Sequence, residues 1–215
     1  MNLPDRLVLA SGSPTRLALL RRAAIYPEVV VSGVDESTDG IDTPHAVAVL
    51  AERKASAVAP LRPGRLVLGC DSLLDLDDEP LGKPGSAVEA TVMWRRLWGR
   101  DAVLYTGHCL IDDRQVPGRP HAERIVRVAQ TVVRFGRPTE HEISSYVSSG
   151  EPLGLAGAFS IDGLGAPFVD GIDGDPSNVL GLSLPVLRHM LGSVGVSIVD
   201  LWEVDTSAGA HAAGD

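Results

Sequence analysis

Two stretches of this chain carry side chains suited to phosphate chemistry. The first is Ser11-Gly12-Ser13-Pro14-Thr15-Arg16, which follows an apolar run at residues 7–10. A run of that length reads as a buried strand. Pro14 suits the first helical position, because its fixed φ fits there and its missing N–H is not needed. Ser13 is then the expected N-cap, its hydroxyl accepting from an otherwise unpaired amide. Strand, turn and helix start bring free N–H groups and the positive end of a helix dipole to one place, a natural phosphate seat. Arg16 adds a forked cationic donor. The same turn also reads as a plain helix cap of an α/β protein. The second stretch is Asp71-Ser72, set between the apolar runs 66–70 and 73–74. A buried carboxylate needs a partner or a metal, and such groups cluster at sites of chemistry. A capping or turn aspartate is the plainer alternative.

Further charged groups fall where they can join these two. Thr43 as cap, followed by Pro44, opens an expected helix to about residue 59, with Val47, Leu50, Ala51 and Val58 on its apolar stripe. At 3.6 residues per turn Lys54 lies in the middle of that stripe. A lysine there is uncommon unless its ammonium is paired or reaches a cleft; the alternative is a stem that snorkels past the core edge. Gly82 and Pro84 hold Lys83 in fixed backbone, from which it can aim back at Asp71 or stand in solvent. Asp35-Glu36 ends a second expected strand, residues 29–32, and reads equally as a solvated acidic turn.

The elements that position these residues can be read from periodicity and caps. Asp77-Asp78-Glu79-Pro80 is an expected hairpin tip after the central strand. Ser86-x-x-Glu89 and Thr139-x-x-Glu142 are capping boxes opening helices that carry Trp94 and Leu97, and Ile143, Tyr146 and Val147. Residues 102–111 and 125–135 are expected strands, antiparallel to each other and joined by a polar loop. On the helix opened by Pro14 the inward stripe is expected at Leu17, Leu20 and Ala24. Residues 150–181 are dense in glycine, yet threaded with Leu155, Phe159, Ile161, Phe168, Val169 and Ile172, so short strands and tight turns are expected rather than a linker. Residues 184–194 form the last expected helix and 196–202 a last strand. The reading is one α/β domain over residues 1–202, with a mixed, twisted central sheet flanked by helices, and a disordered tail at 203–215.

Composition narrows the classes of function. The net charge of −9, from 28 acidic and 19 basic residues, argues against non-specific binding to nucleic acid or to an anionic membrane. It leaves room for a small anionic substrate met by local cations and a metal. No apolar run is long enough to span a bilayer, and the opening residues do not read as a signal peptide. Cys70 and Cys109 both sit in apolar runs and read as buried free thiols of a reducing cytoplasm. No Gly-x-x-x-x-Gly-Lys-Ser/Thr loop is present, which weighs against a P-loop nucleotidase.

Taken together, the motifs resemble the Maf family of nucleoside triphosphate pyrophosphatases, first linked to septum formation. The resemblance runs from Ser11–Arg16 through Asp35-Glu36, Leu50-Ala-Glu-Arg-Lys54, Gly69-Cys-Asp71-Ser72 and Leu81-Gly-Lys83-Pro. It continues through Tyr105-Thr-Gly-His108, Tyr146-Val-x-Ser-Gly-Glu-Pro152, Ala156-Gly-Ala-Phe-Ser-Ile161 and Gly174-Asp-Pro-Ser-Asn-Val-x-Gly-Leu182. It implies two lobes around a cleft, often a dimer, and hydrolysis of a nucleoside triphosphate to monophosphate and pyrophosphate with Mg2+ or Mn2+. By position, Asp71 matches the catalytic proton acceptor, and Ser11, Arg16, Lys54 and Lys83 match phosphate contacts. Glu36 matches an acid serving the metal.

Three positions depart from the common pattern of the family. Thr15 stands for a second arginine, Ser72 for threonine and Asp162 for glutamine. In the branch acting on dTTP and UTP these positions are associated with base choice, so Thr15, Ser72 and Asp162 are the expected specificity positions. The expectation is a base preference not restricted to dTTP and UTP. A competing expectation is a regulatory nucleotide-binding protein of cell division, acting through partners with little turnover. Lys54, Asp71 and Lys83 favour the enzyme, since binding alone needs no carboxylate facing phosphate oxygens.

Overall fold

The computed structural model describes residues 7–115 and 122–203. Its strands are β1 (Leu7–Leu9), β2 (Glu28–Val29), β3 (Leu66–Leu76), β4 (Glu79–Leu81), β5 (Asp101–Asp112), β6 (Glu123–Phe135) and β7 (Val169–Gly174). Its helices are α1 (Pro14–Arg22), α2 (Thr43–Val58), α3 (Ala87–Leu97), α4 (Glu140–Ser148), α5 (Pro176–Val179) and α6 (Leu184–Ser193). The strands make one sheet in the order β2-β1-β3-β5-β6-β7, with β4 added to β3. β1 runs parallel to β2 and β3, and the other pairings are antiparallel. The sheet is therefore mixed, as expected.

Strand period two divides the residues of β3 between two faces. On one face Leu66, Leu68 and Cys70 pack with Leu7, Leu9 and Leu20 and with Leu187, Met190 and Leu191 of α6. Farther along that face Leu74 and Leu76 pack with Trp94 and Leu97 of α3 and with Ile143, Tyr146 and Val147 of α4. Two apolar cores thus share one strand, and residues 71–73 lie between them. On the other face Val67 packs against Ala51, Ala55 and Val58 of α2. That helix lies directly on the sheet because the strands offer glycine beneath it. A Cβ on Gly69 would stand 2.3 Å from the Ala51 carbonyl oxygen, and one on Gly107 2.0 Å from that of Val47.

One edge of β3 is left open where the cores divide. β5 pairs with β3 along nearly its whole length. On the opposite edge β1 pairs at residues 66–68 and β4 at residues 74–76. Residues 69–73, with Asp71 at their centre, have no ladder partner there among the described residues.

Several expectations need correction. α2 is capped by Asp42, whose side chain accepts from the His45 amide, not by Thr43. β2 is only Glu28–Val29, and the hairpin turns at Asp77-Asp78, both with positive φ, so Glu79 already belongs to β4. The Ser86 hydroxyl caps α3, but the Glu89 carboxylate accepts from Gly85 instead of closing the box. Thr139 and Glu142 do form a full capping box. The last expected strand is a short 3-10 turn, Ile198–Leu201. The glycine-dense segment holds three 3-10 turns and a single strand, β7. It is tied to the second core by Trp94 Nε1, which donates to the Ala158 carbonyl at 2.8 Å. Most of the loop between β5 and β6, and the tail from residue 204, lie outside the described residues.

Candidate active site

α1 begins at Pro14 with Ser13 as N-cap, its hydroxyl accepting from the Arg16 amide. The buried residues of this helix are Arg16, Leu19 and Leu20; of the expected stripe, Leu20 is buried, Leu17 packs partly buried against the same core, and Ala24 lies beyond the helix end. An arginine on the buried face needs acceptors, since an unpaired buried charge is costly. Arg16 is 8% exposed and has three. Its Nε donates to the Gly181 carbonyl at 2.6 Å, Nη1 to Ser11 Oγ at 3.1 Å and Nη2 to Ser72 Oγ at 2.9 Å. Ser11 also accepts from the Ser13 amide at 3.2 Å, so its hydroxyl braces the turn and the arginine together. Thr15, beside them, is half-buried.

Asp71 and Ser72 are neighbours in sequence but point to opposite faces of β3. Ser72 meets Arg16 and the Thr106 hydroxyl, the latter at 2.9 Å across the β3–β5 pair. Asp71 faces α2, where Lys54 Nζ lies 2.5 Å from its Oδ1. The same ammonium lies 2.6 Å from Glu36 Oε1. Lys54 is 7% exposed, so the apolar stripe of α2 does carry a paired lysine into the site. Of the acidic pair, Asp35 is taken up locally by Ser37. Arg53 of α2 binds the Asp35 and Ser37 carbonyls and holds the loop so that Glu36 reaches Lys54.

The electrostatics of Glu36 join the two faces. Partial burial opposes its ionisation, but the hydrogen bond and charge of Lys54, with the charges of Lys83 and Arg16, hold its pKa below the ordinary value. Lys83 stands exposed at the far end of the open edge. The acid whose charge it stabilises is Glu36, and it has no hydrogen bond to Asp71 among the described contacts. Asp162 lies apart from this cluster. Its carboxylate accepts from Ser160 Oγ at 2.6 Å and pairs with Arg22, at the other end of α1, at 3.4 Å.

The fit of the residues to a divalent cation can be judged from Lys54. Among the described residues no three His, Cys, Asp or Glu side chains gather as a metal-binding group. Two do converge: Glu36 and Asp71 both place a carboxylate oxygen within 2.6 Å of one nitrogen. A pair of hard carboxylate oxygens around a cation suits Mg2+ or Mn2+, which take one or two carboxylates and complete their shell with water and phosphate oxygens.

Three contributors escaped assignment from sequence. Thr106, Asn178 and Gly181 support the arginine through a chain of contacts: Ser72 to Thr106, Thr106 Oγ1 to the Asn178 carbonyl at 3.3 Å, and Gly181 to Arg16. Asn178 is itself fixed by Nδ2 donating to the Leu104 carbonyl and to Thr131 Oγ1. The stretches 105–108 and 174–182 stand out in sequence, but nothing there says that they meet α1.

The family model described as Maf-like protein matches residues 6–194. A nucleoside triphosphate pyrophosphatase of Streptomyces coelicolor is 56% identical over 200 residues, covering 92% of this chain and 94% of its own. One from Salinispora tropica is 48% identical over 212 residues, covering 96% and 91%. A solved structure titled nucleoside-triphosphatase / dITP/XTP pyrophosphatase, from Mycobacterium abscessus, is similar over 88% of this chain and 96% of its own. Its TM-score is 0.39 at 15% identity, a likeness too distant to bear on function. With a family model that spans nearly all of the described chain and relatives about half identical over most of their length, the chain belongs to the Maf family.

Proposed function

We propose that this chain hydrolyses a nucleoside triphosphate to the monophosphate and pyrophosphate along the open edge of β3. The observation that carries the proposal is the Lys54 ammonium bonded at once to Asp71 and Glu36, beside an arginine held by three acceptors. Attack on a phosphoric anhydride is chiefly a problem of neutralising and positioning charge. Arg16 has five N–H donors and spends three on the protein, which leaves two for phosphate oxygens. The Ser11 turn and the start of α1 add amide donors, and Lys54 and Lys83 add point charges. Asp71 takes the proton of the attacking water, with Lys54 holding its carboxylate in place.

Glu36 and Asp71 would hold Mg2+ or Mn2+. When bound, that cation neutralises triphosphate oxygens and lowers the pKa of a coordinated water. The names carried by the relatives support the reaction class. The buried, unpaired Cys70 and Cys109 support a reducing compartment such as the cytoplasm. Base choice extends beyond dTTP and UTP in this reading. Thr15 offers a short hydroxyl, and Asp162 an acceptor-only carboxylate that gains more from N–H-rich base edges than from thymine.

Pyrophosphate release from dTTP, UTP, CTP, GTP and ATP, with EDTA and then with Mg2+ or Mn2+ restored, tests these points. Turnover that needs the cation and is shared among bases is the expected result. No turnover with any triphosphate overturns the enzyme, full activity in EDTA removes the cation, and exclusive use of dTTP and UTP overturns the reading of Thr15 and Asp162.

A further inference from the structure

The loop that supplies an acceptor to Arg16 is pinned at both ends by one strand. Thr106 and His108 stand two residues apart on β5 and face the same side of the sheet. Thr106 Oγ1 donates to the Asn178 carbonyl at 3.3 Å, and the Ser183 amide donates to His108 Nε2 at 2.8 Å. Between these two pins the Gly181 carbonyl accepts from Arg16 Nε at 2.6 Å. Gly181 has φ +90°, and a Cβ there would stand 3.1 Å from Arg16 Nε. The loop therefore passes the arginine as closely as bare backbone allows.

His108 is a poor residue for packing alone. It is fully buried, and among the described residues its Nδ1 makes no hydrogen bond of good geometry, although the ring lies near the Arg127 and Thr106 backbone. A buried polar atom left unpaired is costly, and an apolar side chain of similar volume would avoid that cost. What the imidazole supplies is the lone pair on Nε2, which only the neutral ring offers. The surroundings keep it neutral. Burial first, and the positive charge of Arg16 second, push its pKa down to about 4, against the backbone of Arg127 and Thr106 and the charge of Asp175.

We infer that His108 is a positioning residue: by accepting the Ser183 amide it fixes loop 178–183, and so the carbonyl that aims the Arg16 guanidinium at the substrate. The inference rests on the reading of Arg16 as a phosphate contact. His108 touches neither phosphate nor reacting water, and its effect passes through the arginine.

The test compares His108→Leu, which removes the acceptor, with His108→Gln, whose amide oxygen restores one, each in the wild-type and the Arg16→Ala background. Melting curves and kcat/KM for the preferred triphosphate are read for each, and exchange of the Arg16 Nε–H signal for those that keep Arg16. His108→Leu lowers kcat/KM on the order of 10- to 100-fold, the scale of a small misplacement of a binding group, and speeds Arg16 Nε–H exchange. His108→Gln recovers most of both. In the Arg16→Ala background His108→Leu changes kcat/KM less than about twofold, since the two act as a unit. If His108→Leu does not fold, His108→Asn, too short to reach Ser183, replaces it. Independent, multiplying losses overturn the inference, as does unchanged Nε–H exchange or a glutamine variant as impaired as the leucine one. A wild-type protein without turnover would sink the pyrophosphatase reading instead, while Nε–H exchange would still report whether His108 holds Arg16.

Discussion

Lys54→Met removes the charge between Glu36 and Asp71 while keeping an apolar stem on the stripe of α2. In the wild type both carboxylates contact one ammonium, at 2.6 and 2.5 Å. Without it, two like charges face each other across at most about 5 Å, a repulsion of at least about 3 kcal/mol at an effective dielectric of 20. The Glu36 side chain is 58% exposed, so solvent screens a large part of this and about 1–2 kcal/mol remains. Asp71 is nearly buried and also loses its partner, so the total loss of stability at pH 8 is about 2–3 kcal/mol.

The sign of the pH dependence follows. In the wild type the folded-state pKa of Glu36 is lowered, so its contribution is present above the unfolded value of 4.5 and is lost as pH falls through the folded value. In the variant Glu36 faces the Asp71 side chain without the ammonium that lowered its pKa, so that stabilisation above pH 4.5 is absent. The gap between the two proteins should be widest at pH 8 and narrow toward pH 4. Urea unfolding at several pH values measures it. The kcat/KM for pyrophosphate release should fall on the order of 10²–10³-fold, as for loss of one preorganised charge at a reacting phosphate. A stability gap that does not change with pH, or a variant with wild-type kcat/KM, would refute the reasoning and leave Lys54 as a snorkelling lysine.

Two other substitutions probe the same site. Asp71→Asn should keep the fold and lose on the order of 10²–10⁴-fold in turnover, the usual contribution of a general base; wild-type rates with an unchanged melting curve would end that assignment. Gly107→Ala places a Cβ 2.0 Å from the Val47 carbonyl and must lift α2 from the sheet. It should cost about 1–3 kcal/mol by overpacking and lower kcat as well, because Lys54 rides on that helix. Thermal melting and pyrophosphate release together check this, and a loss of stability with kcat unaltered would mean that α2 does not set the position of Lys54.

The parts of this protein readable from sequence are those set by local rules. The turn at Ser11–Ser13, the caps at Ser13, Ser86 and Thr139, and the long strands of the central hairpin follow from propensity and spacing over a few residues. Lys54 stood out because a charge on an apolar helical stripe is a local contradiction that a tertiary partner resolves. Arg16 did not stand out in that way. Three leucines and an alanine offer α1 two plausible inward faces, and only the acceptors on Ser11, Ser72 and Gly181 show which was taken. Gly181 is 165 residues from Arg16 in sequence. No local pattern carries information over that distance.

The alternation of β3 then changes how the sequence neighbours Asp71 and Ser72 are understood. Read as a motif they form one unit, and Ser72 looks like a position that tunes the base. On the strand they serve two faces, Asp71 turned to Lys54 and Ser72 to Arg16. The Ser72 hydroxyl is spent on the guanidinium and on Thr106, so a change there acts first on how firmly the arginine is held. Because β1 stops pairing at Leu68 and β4 begins at Leu74, both faces open onto the same unpaired edge. In the proposed reading, a short gap in one strand ladder is what lets cationic groups from α1 and α2, on opposite sides of a sheet, reach a single polyanion.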